Sequence, residues 1–152
     1  MAHYNGILSC EFNPLKTNIL TTSGMDYSIK FWDIRNLNSP VTGIFNNTHW
    51  VWKLRYNKTY SRILMTCSSS SLVRGYIFDY ENIDNQEDSN AHSFGEIDFK
   101  KYNCLDYLEF EDSVYDFDWS HNDPWIFSAI SYNGYLHINI IPDEIKYKIM
   151  IN

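Results

Sequence analysis

The segment Ile19–Arg35, ILTTSGMDYSIKFWDIR, constrains the fold more than any other stretch of the chain. Two short runs rich in β-branched and aromatic residues flank a turn built on Gly24 and Asp26, which is the pattern of paired antiparallel strands. The first strand ends in Thr22, the turn carries Asp26, and the second strand brings Trp32 alongside. Such a turn must shelter a buried polar cluster, and buried polar groups persist only when each finds a hydrogen-bond partner. His3 completes the set, lying just before the run Ile7–Asn13 that is expected to form the innermost strand. The role expected of His3, Thr22, Asp26 and Trp32 is structural: they stiffen one unit of sheet and do no chemistry.

Repetition extends the unit along the chain. Strand endings recur at Phe12-Asn13, Tyr56-Asn57 and Trp119-Ser120, each preceded two positions earlier by an apolar residue, Cys10, Leu54 and Phe117. The first interval is 44 residues, the length of one four-stranded propeller blade, and the second is 63. The excess falls in Glu81–Lys101, a polar and acidic stretch that reads as a long solvated loop. The whole pattern resembles a WD-repeat β-propeller, in whose blades the corresponding His, Ser/Thr, Asp and Trp hydrogen-bond one another.

The expected fold is therefore all-β: a propeller fragment of three four-stranded antiparallel blades in an incomplete ring. Blade one covers about residues 3–46 through strands Ile7–Asn13, Asn18–Ser23, Ser28–Ile34 and Val41–Phe45, the last opened by Pro40 at a tolerated outer position. Blade two covers about 47–110 through Val51–Asn57, Arg62–Cys67, Leu72–Phe78 and Tyr102–Phe110, with the acidic insert 81–101 before its outer strand. Blade three covers about 111–152 through Val114–Ser120, Trp125–Ile130 and Tyr135–Ile141, with Lys146–Ile151 as its outer strand; helix has little support. In the later blades the tetrad positions are taken by Asn47, Thr66, Ser70 and Tyr76, then by Phe110, Ala129, Asn133 and Asn139.

Composition narrows the function classes. Aromatic residues make up 17% and charged residues 20%, a mix that suits packed sheets over disorder. A net charge of −7 without a Lys/Arg cluster argues against nucleic acid or an anionic membrane surface as a direct partner. No long apolar run predicts membrane insertion, and Cys10, Cys67 and Cys104 read as reduced, buried thiols of a cytoplasmic protein. There is no Gly-rich phosphate loop, no Cys-x-x-Cys pair and no His pair at metal spacing. Asp112, Asp116 and Asp118 form the densest carboxylate group, which strand and turn positions explain without chemistry. No enzyme activity, catalytic residue, cofactor or metal is expected.

Two strings carry a closer resemblance. THWVWKLRYN (Thr48–Asn57) and EDSVYDFDWSHNDPWIFSAISYNGYLHINIIP (Glu111–Pro142) closely resemble the EARP and GARP complex-interacting protein family. Asn47, Phe110 and Asn133 depart from the His, His and Asp that the family tends to carry. The resemblance implies the C-terminal blades of a seven-bladed, non-catalytic scaffold that binds subunits of vesicle-tethering complexes at endosomes or the trans-Golgi network. Three blades cannot close a ring, so either preceding blades complete it or a second copy of the chain packs against it; truncation is the favoured expectation. The alternative function is a WD-repeat receptor for a short linear peptide, of the peroxisomal-import or histone-binding type.

Candidate binding residues follow from blade geometry, because loops entering an inner strand lie on one rim beside the channel mouth. They are His49, Trp50 and Trp52 in blade two and Ser113 and Tyr115 in blade three, with Met25 and Tyr132 beside the turns of blades one and three. Trp and Tyr dominate interface hot spots, although packing between blades is the competing use of Trp50, Trp52 and Tyr115. Glu11, Arg55 and Asp118 occupy matching positions of successive inner strands. They are expected either to bridge through Arg55 or to be solvated separately by channel water.

Overall fold

The computed structural model describes residues 1–78 and 103–151. Its strands form three antiparallel meanders. Blade one is β1 (Ile7–Phe12), β2 (Ile19–Gly24), β3 (Ile29–Asp33) and β4 (Thr42–Ile44) in sequential order. Blade two is β5 (Val51–Tyr56), β6 (Ile63–Ser68), β7 (Leu72–Ile77) and β8 (Asn103–Glu109). Blade three is β9 (Val114–Trp119), β10 (Ile126–Ser131) and β11 (Leu136–Ile140). Inner strand β1 packs against β5, and β5 against β9, so the sheets radiate from one axis as an open ring of blades. The acidic insert expected at 81–101 lies outside the described residues.

One element departs from expectation. Lys146–Ile151 belongs to helix α1 (Asp143–Ile151) and not to an outer strand, so blade three has three strands among the described residues. Pro142 leads into the helix, and Asp143 and Glu144 place negative charge in its first turn, where the helix dipole favours it. Ile145 and Ile149, four residues apart and so on one helical side, pack into the core between blades two and three. Arg62 donates from Nη2 to the Ile149 carbonyl at 2.8 Å, satisfying an acceptor of the last turn that has no partner within the helix.

The cores lie between blades. Ile19, Ile29, Phe31 and Ile44 of blade one meet Leu54, Tyr56, Leu64 and Tyr76 of blade two. The other face of blade two offers Ile63, Met65, Cys67 and Val73 to Phe117, Trp119, Phe127 and Ala129 of blade three. Strand alternation makes this possible: β6 is buried along its whole length because its two sets of side chains face different neighbours. The end faces remain open, as an incomplete ring requires. Leu136, Ile138 and Ile140 of β11 are 64%, 71% and 63% exposed on one outward face, and Ile7 and Phe12 are exposed on the opposite one. Cys67 is buried, but Cys10 and Cys104 are exposed, contrary to the expectation for all three thiols. Cys10 points from an inner strand onto the uncovered face of blade one, and Cys104 sits on outer strand β8.

The blades repeat in backbone detail as well as in sequence. Each inner-strand ladder is interrupted near its entrance: pairing steps from Ile7 to Ser9, from Val51 to Lys53, and from Val114 to Asp116. The residue passed over in each case, Leu8, Trp52 or Tyr115, sits in a bulge that turns its side chain away from the strict alternation. The second turn of each blade holds one left-handed residue at the same place, Tyr27 (φ 64°), Ser71 (φ 61°) and Gly134 (φ 84°). Only glycine adopts that conformation without strain, so blades one and two carry it at a cost that the surrounding sheet imposes.

Candidate functional site

The polar network of blade one is continuous. Asp26 Oδ1 lies 2.7 Å from His3 Nδ1, and His3 Nε2 lies 2.8 Å from Thr22 Oγ1. Trp32 donates its indole N–H to the same Thr22 oxygen at 2.9 Å, and the Ser28 hydroxyl donates to Asp26 at 2.6 Å. With the proton on Nδ1, every group is satisfied: Trp32 donates to Thr22, Thr22 to His3, and His3 to Asp26. Burial by itself pushes the Asp26 carboxyl up. The hydrogen bonds from Ser28, His3 and the Ser28 and Tyr4 amides outweigh it and hold the group well below the usual carboxylate range. Gly24 makes room for the imidazole, since a Cβ there would stand 2.9 Å from His3 Nδ1. These side chains are buried or nearly so, and their hydrogen bonds tie the segment before β1 to β2, and β2 to β3.

The equivalent sites of the other blades hold only fragments of such a network. Tyr76 donates its hydroxyl to Asn47 Oδ1 at 3.2 Å, and the Ser68 and Ser70 hydroxyls meet at 2.5 Å. In blade three Ser131 contacts Asn133 Oδ1 at 2.5 Å, while Phe110 packs edge-on against His137. Apolar packing takes over where the network thins.

Glu11 and Arg55 approach to 3.8 Å, and the second Glu11 oxygen accepts the Tyr56 amide at 2.8 Å, tying blade one to blade two. Burial raises the Glu11 pKa, against the lowering by the Tyr56 amide and Arg55, and nearby Asp118 raises it further. The contact is loose and both side chains are partly solvated.

The rim of blades two and three is where exposed aromatic groups gather. Trp50 meets Trp52 edge-on at 5.6 Å between ring centroids, Trp52 meets Tyr115 at 5.1 Å, and Tyr115 meets Tyr132 at 5.9 Å. The result is a four-ring ladder across two blades. Trp50 and Tyr115 are each 41% exposed and Tyr132 is 70% exposed, whereas Trp52 is partly buried and packs on the core. Trp52 donates its indole N–H to Ser69 Oγ at 2.7 Å. The loops beneath are cross-linked: Ser69 N to the Trp50 carbonyl at 3.0 Å, Ser113 Oγ to the Ser69 carbonyl at 3.3 Å, and Tyr132 N to the Ser113 carbonyl at 2.9 Å. His49 is exposed beside the ladder in sequence, and Met25 lies in blade one against Gly6. The bulges are the signal that sequence reading missed; without them Trp52 would share the face of Leu54 and Tyr56.

An apolar hollow of about 370 Å³ sits elsewhere, on the open face of blade one, lined by Ile7, Leu20 and Trp32 with Leu37 and Pro40. No titratable side chain lines it. Among the described residues, no three His, Cys, Asp or Glu side chains are disposed to hold a metal ion, and no helix is long and apolar enough to cross a membrane.

Radiating antiparallel blades, cores between them and a His–Thr–Asp–Trp network define a WD-repeat propeller arc, and the chain carries WD repeats. The family model described as "WD domain, G-beta repeat" matches residues 1–33 and 103–138. The chain is 36% identical to the Homo sapiens protein named "EARP and GARP complex-interacting protein 1", over 162 aligned residues that cover 99% of this chain and 42% of that protein. The Caenorhabditis elegans "EARP-interacting protein 1" is 29% identical over 98% of the chain and 43% of its own length. An Arabidopsis thaliana "WD repeat-containing protein DWA2" is 28% identical over 84% of the chain and 36% of its own length. These matches bear out the resemblance carried by the Trp- and Tyr-rich strings, and the chain spans less than half the length of the relatives it matches.

Proposed function

We propose that the chain is a non-catalytic interaction scaffold of membrane traffic that binds subunits of EARP- or GARP-type vesicle-tethering complexes. The observation that carries this reading is the Trp50–Trp52–Tyr115–Tyr132 ladder. Its rings brace one another on cross-linked loops, so a partner meets a surface already ordered, and Trp and Tyr are the residues that most often dominate interface energetics. The names of the animal relatives support the same partners. The chain reaches endosome or trans-Golgi membranes through those partners, from the cytoplasmic side.

Capture experiments test the reading. The full chain, immobilised, retains tethering-complex subunits from a cell extract, and the Trp50→Ala/Tyr115→Ala variant loses them by about tenfold or more while its circular dichroism is unchanged. Equal retention by both proteins refutes it. The alternative, a receptor for a short linear motif, rests on the same ladder and is distinguished by saturable binding of one peptide without any tethering subunit.

A further inference from the structure

The rim carries a charge imbalance as well as aromatic rings. Glu111 and Asp112 lie on the loop that delivers Tyr115, and Asp112 Oδ1 accepts the Ser113 amide at 2.7 Å, which fixes that carboxylate next to the ladder's underlying bonds. From Ser113 the hydrogen bonds run to Ser69 and on to Trp52. Asp116 is on the same strand as Tyr115, and Lys53, next to Trp52, is engaged by it at 3.0 Å. Among the described residues neither Glu111 nor Asp112 is ion-paired, so the rim keeps unneutralised negative charge on a chain whose net charge is already −7.

Aromatic faces have negative potential and attract cations, most strongly when carboxylates stand nearby. A guanidinium suits such a place better than an ammonium, because it is planar, stacks on rings and is more weakly hydrated. We propose that the ladder docks an extended partner segment through an arginine, whose guanidinium stacks on the exposed Tyr115 and Tyr132 rings and faces Glu111 and Asp112. Trp50 supplies apolar contact to the neighbouring part of that segment. This specifies the chemistry of the partner and rests on the scaffold reading above.

The probe is a fluorescein-labelled Gly/Ser peptide with two arginines, followed by anisotropy with the full chain. A twin carries citrulline, which has the shape of arginine without its charge, and another carries lysine. The arginine peptide is expected to bind saturably, with the citrulline twin about three- to thirtyfold weaker and the lysine twin in between. Tyr132→Leu, which keeps apolar area and loses the ring face, weakens the arginine peptide to a similar degree; Tyr132→Phe restores it. Asp112→Asn weakens it and reduces its salt dependence. Equal binding of the citrulline twin, lysine binding as tight as arginine, indifference to Tyr132→Leu, or no binding up to about 1 mM overturns the proposal. Capture of tethering subunits separates this failure from that of the scaffold reading. Subunits lost with Tyr132→Leu while the peptides show no charge preference leave the scaffold standing and remove the arginine site. Arginine binding with no subunit captured by the wild-type chain does the reverse.

Discussion

Replacing Thr22 by valine tests the blade-one network with almost no change of shape. The hydroxyl accepts the Trp32 indole N–H at 2.9 Å and reaches His3 Nε2 at 2.8 Å, and Thr22, Trp32 and His3 are 5%, 7% and 4% exposed. A methyl group in its place leaves no cavity, but it strands a buried donor on Trp32 and a buried acceptor on His3. Each such group costs about 1–3 kcal/mol, and the extra buried methyl returns somewhat less than about 1 kcal/mol, so Thr22→Val should lose about 1–5 kcal/mol. Thr22→Ser keeps the hydroxyl and gives up the methyl, so its loss should stay near about 1 kcal/mol. Urea unfolding of the full chain, followed by tryptophan fluorescence, measures both as shifts in midpoint at constant slope. Valine as stable as serine or more so would refute the argument that hydrogen-bond satisfaction, and not packing, secures blade one.

Two further outcomes follow from ionisation and exposure. The Asp26 pKa is lowered in the folded state, so its contribution is fully present above the ordinary carboxylate pKa and is lost as pH falls below about 4; Asp26→Asn should be less stable at pH 7 and show a flatter acid limb in unfolding free energy against pH. An unchanged limb refutes it. A thiol reagent at pH 8 should label Cys10 first and Cys104 more slowly, because partial shielding of the thiol on this otherwise exposed residue raises its pKa, and reach Cys67 only on unfolding. Rapid labelling of Cys67 under native conditions contradicts the interblade core; protection of Cys10 in a larger assembly reports that the open face of blade one has been covered.

Much of the strand order is written locally. Alternation in segments such as Val51–Tyr56, and turn chemistry between them, is enough to place the eleven strands of the described residues within a residue or two of where they lie, and the spacing of His3, Thr22, Asp26 and Trp32 identifies the unit they build. These features depend on neighbours in the chain or on one recurring network. The C-terminal segment behaves differently. KYKIMI has no strong local preference, and it is helical because Ile145 and Ile149 find the gap between blades two and three while Arg62 caps the Ile149 carbonyl from 87 residues away. Pro142, Asp143 and Glu144 were the legible hint of that helix. The rim likewise needed the tertiary structure. Sequence nominated Trp50, Trp52, Tyr115 and Tyr132 separately, but only the bulges at Trp52 and Tyr115, together with the packing of β5 against β9, bring rings from two blades into one ladder. A bulge is set by how a whole sheet twists and where its neighbour lies, and so it leaves little trace in the identity of the residue it carries.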